Sequence, residues 1–300
     1  PTVFLVPKEG EGSILVGDDA VQMSDEDPDG VVVDIKREIH RPGKVRLGPG
    51  RPAKSRIELA SELFGYIRRR CMAEVFHGQA VSDCVLTVPV CFQERQREAL
   101  NEAARLAGFE RVRMVEEPVA AAQHWLSSPT GQRIGDHVIV VDVGGGTTDI
   151  ASLKRVKDRF EPMSDLPHAG FAMGGNDIDS RLAETLCGGN EVRGGWQVKL
   201  RKVKEVLPGS GRTSMRVNLG SDSVVVSRES LDQASSELVA RCTSEVKKYL
   251  EDFEDVTGDR TCPILLAGGG SKLAGLKEGL EVVAPGRVLI WNDGDYAIVK

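Results

Sequence analysis

Apolar and polar positions alternate along this chain in patterns that predict strands and helices in turn. Residues 84–88 and 112–115 are short apolar runs of the length of buried strands. Residues 93–107 and 119–126 predict helices, and Gly108 ends the first of them. Because strand and helix follow one another, the pattern indicates α/β architecture.

Local signals mark further elements on both sides of this region. Ser55 and Glu58 fit a capping box, and an apolar stripe behind them predicts a helix as far as Cys71. Ser227 is the predicted cap of a long helix over residues 231–253. The other predicted elements are two short strands within 1–21 around a turn at 8–12, an acidic loop at 24–30, an apolar run at 31–34, helices at 178–186 and 198–207, a loop at 188–195, a hairpin at 215–226 and a strand at 263–267.

The chemistry of the chain centres on a strand, a glycine turn and a second strand in the middle of the sequence. An apolar β-branched run ends in Asp142, three glycines follow at 144–146, and Thr147, Thr148 and Asp149 lead into a second apolar run. Glycine lets several backbone N–H groups approach one ligand oxygen, and the neighbouring hydroxyls and carboxylates suit phosphate and Mg²⁺. The turn therefore predicts a phosphate and magnesium site.

Two other kinds of phosphate-binding loop do not fit this turn. A Walker loop requires Gly-Lys-Ser or Gly-Lys-Thr at the start of a helix, and the chain contains neither tripeptide. A dinucleotide fingerprint requires a helix after its glycines, whereas β-branched residues follow here. A glycine-rich hairpin that binds no ligand remains the alternative.

Two further glycine-rich segments precede predicted helices. Gly174 and Gly175 come before the helix at 178–186, and residues 268–270 with Ser271 come before a helix expected to reach about residue 283. Backbone N–H groups at a helix N-terminus favour anions and polar ligand groups. For Ser271 the alternative is a helix cap without a ligand.

Composition narrows the classes of function. At 300 residues the chain can bury a large core, and we expect two lobes with a boundary in the polar link at 127–135. The net charge of -6 argues against nucleic acid or an acidic membrane surface as the main partner. The sequence has no apolar run that could span a bilayer, and its six cysteines form no CxxC pair. We therefore expect reduced thiols in a cytoplasmic protein and no metal or redox motif built on cysteines.

Six segments carry the motifs of one protein family in the family's order and spacing. They are VVVDIKREI at 31–39, LTVPVCFQERQREALNEAARLAGF at 86–109, MVEEPVAAA at 114–122, VVDVGGGTTDI at 140–150, MGGNDID at 173–179 and LLAGGGSKL at 265–273. Together they resemble the ATPase domain of the seventy-kilodalton heat-shock chaperones, within the actin-like superfamily. The resemblance covers nearly the whole chain.

The resemblance implies a two-lobed actin-like, ribonuclease-H-like ATPase fold, with mixed sheets flanked by helices. Lobe I is then expected over residues 1–130, joined by 286–300. Lobe II is expected over 131–285, with a smaller subdomain at about 172–235.

The resemblance also implies a site for ATP or ADP with Mg²⁺. It gives catalytic roles to Lys36, Glu117, Asp142 and Thr147: Lys36 orients the attacking water and stabilises charge, Glu117 lies near that water or the metal, and Asp142 holds Mg²⁺ through waters. Thr147 contacts the β- and γ-phosphates. The implied nucleotide contacts are Gly144, Gly145, Gly146, Thr147, Thr148, Gly174, Gly175, Lys204, Gly269, Gly270 and Ser271.

Three of these residues have simpler alternative roles. Lys36 and Lys204 could be solvated surface lysines. Glu117 is also a carboxylate at a helix start, where the helix dipole favours it. Both roles can hold for Glu117 at once.

The chain departs from the family pattern in several places. The family's first phosphate loop, an Asp-Leu-Gly-Thr-Thr type of turn, is expected before Pro1 and is not in these residues. We therefore expect the chain as given to bind ATP weakly, to turn it over poorly and to associate through an open strand edge. Thr148 replaces the usual aromatic residue, as in bacterial actin-type filament proteins. Glu205 stands where a basic residue is common, and Leu273 replaces an arginine near adenine, so the changes affect the adenine pocket more than the phosphate site.

The function that these observations favour is the ATP-binding and ATP-hydrolysing domain of a heat-shock-type chaperone. Nucleotide-driven lobe closure would signal to client polypeptides and co-chaperones. The alternatives are an actin-like filament protein and a non-hydrolysing interaction module. A sugar kinase fits least, because EEPVAAA and VPVCF match the chaperone branch better.

Overall fold

The computed structural model describes residues 2–128, 135–186, 194–219 and 222–290. The predicted loop at 188–195 and the polar link at 127–135 fall largely outside these ranges. In chain order the strands are β1 (Val3–Leu5), β2 (Leu15–Val16), β3 (Val31–Val33), β4 (Asp83–Val88), β5 (Arg111–Glu116), β6 (His137–Val143), β7 (Thr148–Val156), β8 (Arg159–Pro162), β9 (Ala169–Phe171), β10 (Ser214–Leu219), β11 (Asp222–Ser227), β12 (Ile264–Ala267) and β13 (Val288–Ile290). The α-helices are α1 (Asp18–Met23), α2 (Arg56–Arg70), α3 (Glu94–Leu106), α4 (Glu117–Leu126), α5 (Gly175–Leu186), α6 (Gly194–Val206), α7 (Arg228–Thr257) and α8 (Leu276–Val283).

The chain divides into two compact units, each described separately below. Unit 1 comprises Pro1–Val85, Gln93–Arg113 and Ile178–Leu231, and unit 2 comprises Leu86–Phe92, Met114–Asp177 and Asp232–Lys300. The lobes expected from the sequence, 1–130 and 131–285, have different boundaries and stay a prediction. Among the described residues, every helix is too short or too polar to cross a lipid bilayer.

Unit 1 begins with a small antiparallel sheet in the order β2-β1-β3. Val3, Leu5 and Val31 from this sheet share a buried cluster with Ala20 of α1 and Val198 of α6. Helix α1 replaces the end of the strand region that the apolar pattern predicts within residues 1–21. Two acidic residues in its first turn suit the helix dipole.

The predicted caps of two helices are present. Ser55 Oγ accepts the Glu58 N–H at 3.1 Å, and the Glu58 carboxylate accepts the Ser55 N–H at 2.7 Å, which closes the capping box of α2. At the start of α7, Ser227 Oγ accepts the Ser230 N–H at 3.0 Å. The caps are therefore correct, although α7 begins at Arg228, three residues before the predicted start at Leu231.

Unit 2 is built on a mixed sheet in the order β13-β12-β6-β7-β8, with β9 beside β7. Strand β12 runs parallel to β6 and β13, whereas β6 and β7 form an antiparallel hairpin. Helix α4 covers this sheet, because Ala121, Ala122 and Trp125 share a buried core with Val138 and Leu265. The predicted α/β class, with mixed sheets and flanking helices, is confirmed.

Three segments of unit 2 differ from the sequence-based expectations. The glycines at 268–270 lead into the four-residue 3-10 helix Gly269–Lys272 and not into a long α-helix. Leu273 is extended and Gly275 is left-handed, so α8 begins only at Leu276. Residues 288–290 form the short strand β13, where the pattern predicts no element, and pair with β12; residues 291–300 lie outside the described part. The short strands β8 and β9 have no counterpart in the prediction.

Candidate functional site

The end of the β6–β7 hairpin brings two buried carboxylates into register. Asp142 on β6 pairs with Asp149 on β7, and each residue is 1% exposed. Thr147 and Thr148 between them are also buried. The Gly144 N–H donates to the Thr147 carbonyl oxygen at 2.9 Å, which closes the glycine turn. The predicted strand, turn and strand are therefore present, with buried acidic groups at the turn.

The segment that opens α5 folds back onto this glycine turn. The Gly175 N–H donates to the Gly144 carbonyl oxygen at 3.0 Å, and the Asn176 N–H donates to that of Gly145 at 2.6 Å. Only glycine fits at position 174, because a Cβ there would lie 2.6 Å from the Gly144 carbonyl oxygen. The segment therefore holds the turn in one conformation.

Thr148 helps to attach this segment and lies inside the protein. Thr148 is 0% exposed to solvent, and its hydroxyl donates to the Met173 carbonyl oxygen at 2.9 Å. The hydroxyl is thus engaged within the protein, and the structure gives Thr148 a role in fixing the residues before Gly174. Asp177 closes the same segment, since its carboxylate accepts the Gly174 N–H at 2.7 Å.

The second predicted glycine turn packs against the other side of Asp142. Ala267 of β12 pairs with Asp142, and a Cβ at the following Gly268 would lie 2.4 Å from Asp142 Oδ1. Ser271 is 2% exposed, and its Oγ has no hydrogen-bond partner among the described residues. Because Ser271 lies within the 3-10 helix, it is not the N-cap of α8; Gly275 occupies that position.

Glu117 is buried at the first residue of α4, followed by Pro118 in the first helical turn. The Cys91 N–H donates to Asp149 Oδ1 at 3.3 Å. Burial, together with the carboxylates of Asp149 and Glu117, raises the pKa of the Cys91 thiol to about 12. Glu117, Asp149 and Cys91 therefore share one electrostatic environment in unit 2.

Lys36 lies in unit 1, on a turn that follows β3. It is half-buried, between the buried side chains of Ile35 and Ile39. Asp34 before it has a φ of 55°, a left-handed conformation that few residues other than glycine adopt, and its carboxylate binds the Arg37 guanidinium. The turn is therefore a defined structure rather than an extended strand end.

Lys204, also in unit 1, forms an internal ion pair that sequence reasoning missed. Its Nζ lies 2.6 Å from Asp179 Oδ1, and Arg201 Nε lies 3.2 Å from Asp179 Oδ2. Burial lowers the pKa of Lys204, and the Asp179 carboxylate opposes that shift. Asp179 is the last residue of the MGGNDID motif, and its carboxylate joins α5 to α6. The helical lysine is thus held within the unit.

The described residues contain no cluster of three or more His, Cys, Asp or Glu side chains that could hold a metal. The magnesium role that the resemblance implies for Asp142 stays a prediction.

A family model described as Hsp70 protein matches residues 55–284. The chain belongs to the Hsp70 family. This confirms the resemblance drawn from the motifs, and with it the actin-like ATPase fold and a heat-shock-type chaperone nucleotide-binding domain.

Among curated proteins, several relatives in the Hsp70 family are named chaperone protein HscA homolog. The protein of Azoarcus sp. strain BH72 is 30% identical over 301 residues, which cover 90% of this chain and 46% of the relative. That of Cupriavidus pinatubonensis is 33% identical over 80% of this chain and 39% of the relative. That of Bordetella pertussis is 28% identical over 87% of this chain and 45% of the relative. The chain thus spans less than half the length of these relatives.

Proposed function

We propose that this chain binds ATP with Mg²⁺ and takes part in its hydrolysis as the nucleotide-binding domain of a heat-shock-type chaperone. The observation that carries the proposal is the packing of two glycine-rich segments, at 174–175 and 268–270, against the turn that follows Asp142. Both segments approach the end of β6 so closely that a side chain would not fit. Such a backbone cradle beside a buried carboxylate suits phosphate with a hard cation.

The buried polar groups of unit 2 fit the proposed ligand. Oxygen donors such as the Asp142 carboxylate are those that Mg²⁺ prefers, and Mg²⁺ when bound neutralises charge on the phosphates. The backbone of residues 144–146 and the Thr147 hydroxyl would orient the β- and γ-phosphates. The buried Ser271 Oγ, which has no partner among the described residues, suits a polar contact with adenosine, beside Gly269 and Gly270.

Two further residues complete the proposed chemistry. Lys36 would orient the attacking water and stabilise the charge that develops on the transferred phosphoryl group, and Glu117 would lie near that water or the metal. Lys204 stays in the proposal as a nucleotide contact, although such a contact would have to share its ammonium group with Asp179.

The wider roles follow from the family and are part of the same proposal. Relatives named as chaperones support client polypeptides and co-chaperones as partners, with nucleotide-driven lobe closure as the signal. The free cysteines Cys71, Cys84, Cys91, Cys242 and Cys262 suit a reducing, cytoplasmic location.

Calorimetry with Mg-ATP and a phosphate-release assay, carried out on the full natural chain, test the proposal. Asp142→Asn should leave the fold intact and weaken magnesium-dependent binding, while nucleotide binding in EDTA changes little. Asp158→Asn, an exposed aspartate on the β7–β8 turn, is the matched control and should bind as the wild type does. Unchanged Mg-ATP binding in Asp142→Asn would refute the metal role.

The same samples separate the alternative functions. Binding without turnover would favour an interaction module that has kept the fold. Sedimentation that depends on ATP would favour a filament-forming protein. Neither result is expected.

A further inference from the structure

The turn that carries Lys36 is held from inside and from a neighbouring helix. Inside the turn, the left-handed conformation of Asp34 and its ion pair with Arg37 set the path of the backbone. Ile35 and Ile39 are 4% and 1% exposed, so a buried apolar residue anchors each end of the turn. Lys36 lies between these anchors.

Gln96 connects this turn to the first turn of α3. Its Nε2 donates to the Arg37 carbonyl oxygen at 3.0 Å, across 59 residues of sequence. Its Oε1 accepts the Gln93 N–H, also at 3.0 Å, which caps the helix. One amide therefore makes two hydrogen bonds of opposite polarity. They fix its orientation, because a flipped amide would set donor against donor and acceptor against acceptor.

We propose that Gln96 is a positioning residue for Lys36. The inference rests on the proposed catalytic role of Lys36. Holding the Arg37 carbonyl oxygen fixes the Arg37–Glu38 peptide group, one residue after Lys36, and so limits rotation of the turn from which the lysine projects. The rate of a reaction falls when a catalytic group is displaced by about an ångström. Substrate binding that depends on other residues is less sensitive to such a displacement.

Gln96→Glu separates the two hydrogen bonds of this amide. A glutamate oxygen can still accept the Gln93 N–H, and glutamate is a usual residue at this position of a capping box. The carboxylate has no hydrogen to donate to the Arg37 carbonyl oxygen, so only the bond to the Lys36 turn is lost. Gln93→Glu is the matched control, because it adds the same charge at the exposed N-cap of the same helix and keeps the backbone N–H that binds residue 96.

The kinetic test uses ATP turnover by the full natural chain. Gln96→Glu should lower kcat about tenfold or more while KM and Tm stay close to those of the wild type. Gln93→Glu should keep the wild-type kcat. A wild-type kcat in Gln96→Glu, or an equal loss in Gln93→Glu, would overturn the inference.

A second measurement uses the ligand-free protein and does not depend on activity. Hydrogen exchange should be faster in Gln96→Glu at the amides of Glu38, Ile39 and Arg41, which close the turn. Exchange in the first turn of α3 should not change, and unchanged exchange at residues 38–41 would overturn the inference.

Lys36→Ala distinguishes the proposed role of Lys36 from the positioning role of Gln96. Normal turnover in that variant would refute the proposed role of Lys36, whereas normal turnover in Gln96→Glu alone would refute only the positioning role.

Discussion

At the scale of single residues, the acidic groups of this protein fall into two kinds. Asp142 and Asp149 are buried at a strand end, where an ionised carboxylate is costly unless the surroundings compensate it. Glu58 is a surface carboxylate that caps a helix. The first kind is typical of functional sites, and the second of local stability.

Lys36→Ala should separate catalysis from binding. Because Lys36 is proposed to act on charge in the transition state, the variant should lose roughly a hundredfold in kcat with KM changed by no more than about twofold. Steady-state phosphate release by the full natural chain measures both constants. Equal losses in affinity and rate, or no loss, would show that Lys36 is a surface lysine without a catalytic role.

Glu58 predicts a pH dependence of stability. The hydrogen bond from the Ser55 backbone lowers the pKa of Glu58 from 4.5 to about 2, and Lys44 contributes. A folded-state pKa below the unfolded value contributes stability that is present above about pH 4.5 and lost as pH falls toward 2. Glu58→Gln keeps a capping oxygen without a titrating group.

Urea unfolding at pH 7 and pH 3 tests this prediction. At pH 7 the variant should be less stable by about 0.5 kcal/mol, the size expected for an exposed and screened interaction. At pH 3 the difference should shrink. A difference that is the same at both pH values would contradict the assignment.

At the scale of elements, the glycine turn after β6 depends on segments that are distant in sequence. The start of α5 holds it through backbone hydrogen bonds to Gly144 and Gly145. The end of β12 packs against it through Gly268. The hairpin alone therefore does not define the site.

Gly174→Ala should disturb the glycine turn. The new Cβ would lie 2.6 Å from the Gly144 carbonyl oxygen, so backbone must move. We expect a loss of about 1–3 kcal/mol in unfolding free energy and weaker Mg-ATP binding. Gly135→Ala is the matched control, since a Cβ there meets nothing within 4 Å. Denaturant unfolding measures the stability and calorimetry measures the binding. The same stability and affinity in Gly174→Ala and Gly135→Ala would contradict the proposal that the segment at 174–175 shapes the glycine turn.

At the scale of the whole molecule, buried thiols report whether unit 2 is folded. Cys242 and Cys262 are 0% and 1% exposed, and burial raises the pKa of each thiol to about 12. At pH 8 only roughly one thiol in ten thousand would be a thiolate, so reaction with iodoacetamide should require unfolding.

Mass spectrometry of labelled peptides tests this expectation. In buffer, Cys242 and Cys262 should label far more slowly than the half-buried Cys71, whereas all three should label alike in urea. Mg-ATP should slow the labelling of the two buried thiols further if it binds folded unit 2. Rapid labelling without denaturant would show that unit 2 opens readily.

The sequence by itself determined features that depend on neighbouring residues. The capping box at Ser55 and Glu58, the strand, turn and strand around Asp142, and the succession from β4 to α4 follow from local hydrogen bonding, backbone preference and apolar spacing. The motifs also gave the family, because their order and spacing can be read without coordinates.

Only the tertiary structure decided features that depend on packing between distant segments. The sequence around Gly268 does not show that this residue lies against Asp142. The sequence around Lys204 likewise does not show its ion pair with Asp179. Each contact forms only when the elements that carry these residues pack together. The sequence does not predict the break between the 3-10 helix and α8, because the glycine turn there resembles a helix start. The left-handed conformation of Gly275, which marks the break, is visible only in the structure. The addition of β13 beside β12 depends in the same way on parallel pairing, which joins strands that lie apart in the chain and leaves no local signal.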